Sequence, residues 1–248
     1  MAEQKVFQAS EEAKGKAGQL RMFAILAWIV AMAGQVFAIL KLLHNNTLTW
    51  LIVAIVVILI LAITGSTLWK KANRLDPASE KDGFKFFVQN QLGAILGVLA
   101  FLPLVIFIFM DKDLNGKTKG IAGAVAVVAM LIAGISGVDF NPPSIEKYSK
   151  EINAQTDSLK TLTGGADLVY WTGQGNKYHI YQDCFHIKGH SDISSGTVKQ
   201  AWDNKHIAQI CLDCEKRAMK EHNITPEQLG NATNTESTTP TAPADSTK

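Results

Sequence analysis

An α-helical membrane block of four transmembrane helices, followed by a small α+β soluble domain, is the fold class this sequence predicts. Three observations carry that expectation. The long apolar runs are confined to residues 22–138, residues 139–248 are polar and hold every cysteine, and the three cysteines stand with a histidine at a regular spacing: His179, Cys184, Cys211 and Cys214. The chain-wide averages, 47% hydrophobic and 19% charged, conceal this division. A formal charge of +2 is too small to argue by itself for nucleic acid or another anionic partner.

Residues 1–21 are polar, with Lys5, Lys14, Lys16 and Arg21 set against Glu3, Glu11 and Glu12. No clear small-residue cleavage site follows the first apolar run, so the expectation is a cytoplasmic N-terminal segment leading into an uncleaved span. Spans are expected at 22–40, 50–69, 88–110 and 120–138. Each is long enough to cross a hydrocarbon core of roughly 30 Å at about 1.5 Å per residue. Trp50 and Trp69 sit where interfacial rings anchor a helix. Between the second and third spans the basic segment 70–85 contains Pro77 and Gly83, which interrupt a continuous helix, and Phe84, Phe86 and Phe87 are expected at the interface.

The third span carries Gln89, Asn90 and Gln91 near its start, Gly93 and Gly97 as a close-packing pair, and Pro103 as a kink site. In the fourth, Ala129, Ala133 and Gly137 form a stripe read as a packing face. No Asp, Glu, Lys or Arg lies well inside any span, which places transport below anchoring. Lys5, Lys14, Lys16, Arg21, Lys70, Lys71, Arg74, Lys81, Lys85, Lys147 and Lys150 fall on one side of the four spans, against Lys41, Lys112, Lys117 and Lys119 on the other. The asymmetry predicts a multi-pass protein of a bacterial inner (cytoplasmic) membrane with both termini cytoplasmic.

Beyond the Pro142-Pro143 linker, Ser144 is a candidate N-cap for an amphipathic connecting helix over 144–162, its apolar positions Ile145, Tyr148, Ile152, Leu159 and Leu162 spaced by threes and fours with Gln155 filling one slot. Two and a half heptads make a short stalk for a homo-oligomer, so packing on its own domain or on the bilayer is the preferred reading. Residues 168–172 and 177–181 read as strands joined by the hairpin turn 173–176, and 195–204 and 213–221 as short helices. The tail, 223–248, is Asn, Thr, Ser, Pro and Ala with almost no apolar residue and is expected to be disordered.

His179, Cys184, Cys211 and Cys214 spell H-x4-C and C-x2-C separated by 26 residues. A C-x2-C turn converges two thiolates on one ion, and a second pair from a distant segment completes a tetrahedron, so the four are the expected ligands of a structural Zn2+. His186 and His190 lie close enough to Cys184 for either to replace His179. An odd cysteine count argues against a disulfide framework, and a domain of this size needs a staple. The fold class is therefore an α-helical membrane protein with a small α+β zinc-binding cytoplasmic domain at 168–222.

Val169-Tyr170, the run Gly175 to His179, Cys184, an Ala201-containing helix and Cys211-x2-Cys214 together resemble the small zinc-binding domain of the Ada type, in the His-containing form found appended to bacterial nucleases, competence proteins and membrane proteins. The resemblance covers about a fifth of the chain, 168–216. It implies a zinc-stabilised fold and raises nucleic acid as a partner. His179 occupies the first ligand position and the gap to Cys184 is one residue longer than usual, so methyl-acceptor chemistry at Cys184 is not implied. Lys177, Lys188, Lys199, Lys205, Lys216 and Arg217 are spread out, which weakens the case for DNA.

The expected function is a non-enzymatic membrane protein that displays a zinc-stabilised interaction module to a protein partner. The alternatives are a membrane-tethered nucleic-acid-binding or DNA-processing accessory factor and a metal or redox sensor. No Ser/His/Asp set, carboxylate pair or phosphate loop suggests catalysis.

Overall fold

The computed structural model describes residues 6–205 and 207–229. Residues 226–229 are helical, and the rest of the expected disordered tail, from 230 onward, lies outside the described residues. The described residues divide into two compact units, 8–145 and 146–229 together with 6–7.

In the first unit four helical stretches are long and apolar enough to cross a membrane: Glu11–Lys41, Asn45–Leu75, Gly83–Met110 and Gly116–Gly137. Helix α1 (Glu11–Lys41) starts where the Ser10 side chain accepts from the Ala13 amide, with Glu11 and Glu12 in the first turn to complement its dipole. It turns inward Ala24, Trp28, Ala31, Gln35 and Ala38 and leaves Phe23, Leu26, Ile29, Val30 and Phe37 outside. A helix for water would do the reverse. Small residues inside and large apolar ones outside is the arrangement for a solvent of lipid chains, where close packing rather than exclusion of water holds helices together.

Helix α2 (Leu48–Leu75) answers with Leu51, Ile55, Ile58, Ala62 and Gly65 at matching three-four spacing. The indole of Trp28 lies on Gly65, where a Cβ would stand 2.6 Å from its Nε1. Helix α2 extends through Lys70, Lys71 and Arg74, residues expected in a broken loop, and stops before Pro77. Asp82 caps helix α3 (Gly83–Leu99) by accepting from the Lys85 amide, so this helix begins earlier than the expected span. The kink expected at Pro103 is a full break: α3 ends at Leu99 and α4 (Leu102–Met110) restarts with the proline in its first turn. Proline lacks the amide a continuous helix would need there and its ring opposes the carbonyl four residues back.

Helix α5 (Gly116–Gly137) packs Ala129, Ala133 and Gly137 inward. A Cβ on Gly97 would come 2.8 Å from the Ala133 carbonyl oxygen, and one on Gly137 would overlap the backbone of Gly93 and Ala94. The polar residues of α3 tie down neighbouring backbone. Gln89 Nε2 donates to the Asp76 carbonyl (3.1 Å), Asn90 Nδ2 to that of Phe86 (2.9 Å) and Gln91 Nε2 to that of Asp139 (3.4 Å). At one end of this unit Arg21 pairs with Asp76 (2.8 Å) and Ala78 bridges Ser144. At the other, Asn45 Nδ2 donates to the Asp113 carbonyl and its Oδ1 accepts from the Asn115 amide (2.9 and 2.8 Å).

The second unit is built on helix α6 (Ile145–Thr163), whose buried Tyr148, Ile152, Leu159 and Leu162 follow the expected spacing. The Tyr178 hydroxyl donates to Gln155 Oε1 (2.6 Å) and accounts for the polar slot on that face. The helix ends as Gly164 and Gly165 take φ of +69° and +113°, and the Gly165 amide returns to the Lys160 carbonyl. Leu159 joins Val169, Trp171, Tyr178, Val198, Ala201 and Ile207 in one core. Phe7 belongs here, its ring 5.3 Å from Tyr148, which in turn meets Trp202 at 5.0 Å.

Strand β1 (Val169–Thr172) is antiparallel to β2 (Ile193–Gly196), with Val169 opposite Gly196 and Thr172 opposite Ile193. This corrects the expected hairpin, in which 177–181 was the partner. Only Tyr170 and His179 form a bridge there, because the backbone of Tyr178 turns to Gln209 and Cys211 on its other side. Residues 193–196 thus form a strand, and helix α7 runs Val198–Lys205, later than the expected start at 195. Helix α8 (Leu212–Glu221) follows the C-x2-C turn.

Gly137→Val forces a branched side chain into the backbone of α3 and should destabilise the first unit by roughly 2 kcal/mol or more. Gly120→Ala, where nothing lies within 4 Å, should be neutral or gain up to about 1 kcal/mol. Thermal unfolding of the detergent-purified chain followed by gel filtration checks both; equal behaviour of the two variants would disprove the close approach of α3 and α5.

Candidate metal centre

Two short pairings place the ligands. His179 exchanges both backbone hydrogen bonds with Tyr170 of β1 (2.8 and 2.7 Å), while Tyr178 accepts from the Cys211 amide (2.8 Å) and donates to the Gln209 carbonyl (2.9 Å). Adjacent residues on one segment are thereby fixed to both flanks, which brings His179 beside the start of α8. Cys184 follows in a turn whose carbonyl accepts from the amides of Ile187 and Lys188 (3.0 and 2.8 Å). Cys211 is the N-cap of α8 and Cys214 lies in its first turn.

All four side chains are buried, with exposures of 6% for His179, 8% for Cys184, 4% for Cys211 and 1% for Cys214. Their ligand atoms lie within 4.8 Å of one another, and they form a group that can hold a metal ion. His179 Nδ1 stands 3.3 Å from Cys184 Sγ and 3.7 Å from Cys214 Sγ. Nitrogen and sulfur bound to one tetrahedral zinc, at the usual bond lengths, are about 3.5 Å apart. The donor set and its spacing therefore fit zinc. The three sulfurs are free thiols.

The electrostatics separate the donors. Burial holds the His179 imidazole below its ordinary range, assisted by His186 and Lys177, so its lone pair is available at neutral pH. Burial pushes the Cys214 thiol up to about 12; hydrogen bonding to Cys184 adds to this, while the backbone at Tyr181 and Ile180 opposes it. Without a cation, burial favours the protonated form of this thiol.

Of the other histidines, His186 is exposed, 2.7 Å from Asp213 Oδ2, and groups with Cys211 and Asp213 rather than with Cys184 and Cys214. His190 lies 3.7 Å from Asp192 and belongs to neither of these groups; His206 is outside the described residues. Asp213 carried no signal in the sequence, since an acidic residue in the first turn of a helix is ordinary. Two of the scattered cations are paired with carboxylates. Lys199 pairs with Asp203 (2.6 Å), and Arg217 with Asp183 and Glu221 (3.0 and 2.9 Å) while lying 3.9 Å over the Tyr181 ring.

No family model, curated protein or solved structure matches this chain.

Metal binding at this cluster must expel the Cys214 proton. Because that thiol's pKa of about 12 lies far above neutrality, apparent zinc affinity should rise at least tenfold per pH unit from about pH 6 to about pH 8. Competition titrations against a chelator of known pH dependence measure this, and an affinity flat with pH would exclude a thiolate ligand at Cys214.

Proposed function

We propose that this chain is a non-enzymatic membrane protein of the bacterial inner (cytoplasmic) membrane that displays a zinc-stabilised interaction module. The observation that carries the reading is the closed donor set: His179, Cys184, Cys211 and Cys214 are all buried and supply four ligand atoms to one centre. Four protein ligands complete a tetrahedral zinc, whereas a catalytic zinc keeps a position for water or substrate. The His/Cys3 pattern is the basis for likening the module to the Ada type.

The membrane assignment is supported by the inside-out helices and the orientation by charge. Lys14, Lys16, Arg21, Lys71, Lys81 and Lys85 belong to the same end of the first unit as the Arg21–Asp76 pair, while Lys41, Lys112, Lys117 and Lys119 belong to the other. On the positive-inside rule the former end, where the chain leaves α5 toward the metal module, faces the cytoplasm, a compartment that keeps thiols reduced for metal binding. A protein partner is favoured over nucleic acid because Lys199 and Arg217 are already paired with acidic side chains.

Elemental analysis of the full chain purified in detergent and dialysed free of loose metal should give one zinc per chain, lost in Cys214→Ser together with a large loss of stability of the module. A wild-type chain without metal would overturn the reading. For orientation, Ser191→Cys should resist a membrane-impermeant thiol reagent in intact cells, while Lys112→Cys reacts; the inverse pattern would reverse the topology.

A further inference from the structure

The turn that carries Cys184 also carries His186, and the turn between Cys211 and Cys214 carries Asp213. His186 Nε2 stands 2.7 Å from Asp213 Oδ2, and the His186 ring lies 6.3 Å from that of His179. The ligand atoms of His186, Cys211 and Asp213 all fall within 4.8 Å of one another. A surface ion pair would explain the histidine and the carboxylate alone. Because Asp213 stands two residues from Cys211, the same pairing brings an imidazole and a carboxylate to the sulfur of a buried cysteine that already belongs to the first donor set.

We propose that His186, Cys211 and Asp213 form a second metal site beside the first, with the Cys211 thiolate bridging two cations. A thiolate has lone pairs enough for two metal bonds. Charge favours the arrangement: three thiolates around one divalent ion leave a net negative centre, and Asp213 adds to it. The mixed nitrogen, sulfur and oxygen set suits a borderline divalent cation such as zinc or cobalt(II) rather than magnesium or calcium. The two sites differ in kind. In the second the His186 and Asp213 side chains are 51% and 67% exposed, and three protein ligands leave a position for water, so this ion exchanges readily while the buried one is held. The proposal rests on the reading of the first site as metal-loaded.

The test is a Zn2+ titration of the full chain in detergent against a chromophoric chelator. Two equivalents are expected, the second at least tenfold weaker. His186→Ala with Asp213→Asn should retain the first equivalent within about threefold of its affinity and lose the second; His190→Ala should keep both. Because both altered side chains are exposed, the double variant is expected to fold. With Co2+, the second equivalent should add less thiolate-to-metal absorbance than the first, since it meets one thiolate rather than three. A single equivalent in the wild type, a second equivalent that survives the double variant, or equal absorbance increments would overturn the second site alone. No bound metal in the wild type would overturn the first site and the second with it.

Discussion

Three thiols and an imidazole gathered in an interior with almost no access to water form the constraint on which the second unit depends. Burial raises the free energy of a bare thiolate and of an imidazolium, and at Cys214 it outweighs the backbone hydrogen bonding at Tyr181 and Ile180 that would favour the anion. A divalent cation reverses this balance, because it turns four desolvated donors into one coordination sphere. The segments it would join, 179–184 and 211–214, are otherwise connected by the backbone bonds of Tyr178, the contacts of Arg217 with Asp183 and Tyr181, and a small apolar cluster. Removal of structural zinc forfeits an apparent binding free energy on the order of 10 kcal/mol, comparable to the whole stability of a small domain.

A different rule governs the first unit. Lipid supplies no hydrophobic pressure between helices, so contact must come from backbones that approach closely. Glycines and alanines provide that at Gly65 under Trp28, at Gly97 against Ala133 and at Gly137 against α3. The same need explains the polar residues of α3. Gln89 and Gln91 return hydrogen bonds to carbonyls where α2 and α5 end, groups a helix terminus leaves without an internal partner. Both act at the same end of the bundle.

How much of this was legible follows from which signals are local. Hydropathy is a running sum, so four spans could be counted, but it does not see helix ends: α1 starts at Glu11 and α2 persists to Leu75 because charged residues continue a helix as readily as apolar ones. The grouping of His179, Cys184, Cys211 and Cys214 was legible because C-x2-C and H-x4-C are turn-scale spacings. Strand partnership was not. Gly173-Gln174-Gly175-Asn176 has the composition of a hairpin, yet β1 takes its partner from 193–196, more than twenty residues on, because Tyr178 is drawn toward Cys211. Asp213 was invisible for the opposite reason: its residue type is common at helix starts, and only the approach of His186 from another turn gives it meaning.

The division of labour between cation and core also bears on what the module shows to its surroundings. A domain that must bury apolar surface to stay folded has little left to display. Here the loop around the metal centre folds Ile187 inward with the cysteines, while its neighbours stay out: Phe185 is 89% exposed and Leu212 is 57% exposed. Each is adjacent in sequence to a candidate ligand, Phe185 to Cys184 and Leu212 to Cys211, so an ion held there would fix their backbone while leaving their side chains in solvent. A fixed backbone lowers the ordering cost of docking, although the exposed side chains still give up rotamer freedom. Aromatic side chains of this kind supply much of the binding energy in protein interfaces. Beside them, Arg217 is held by Tyr181, Asp183 and Glu221.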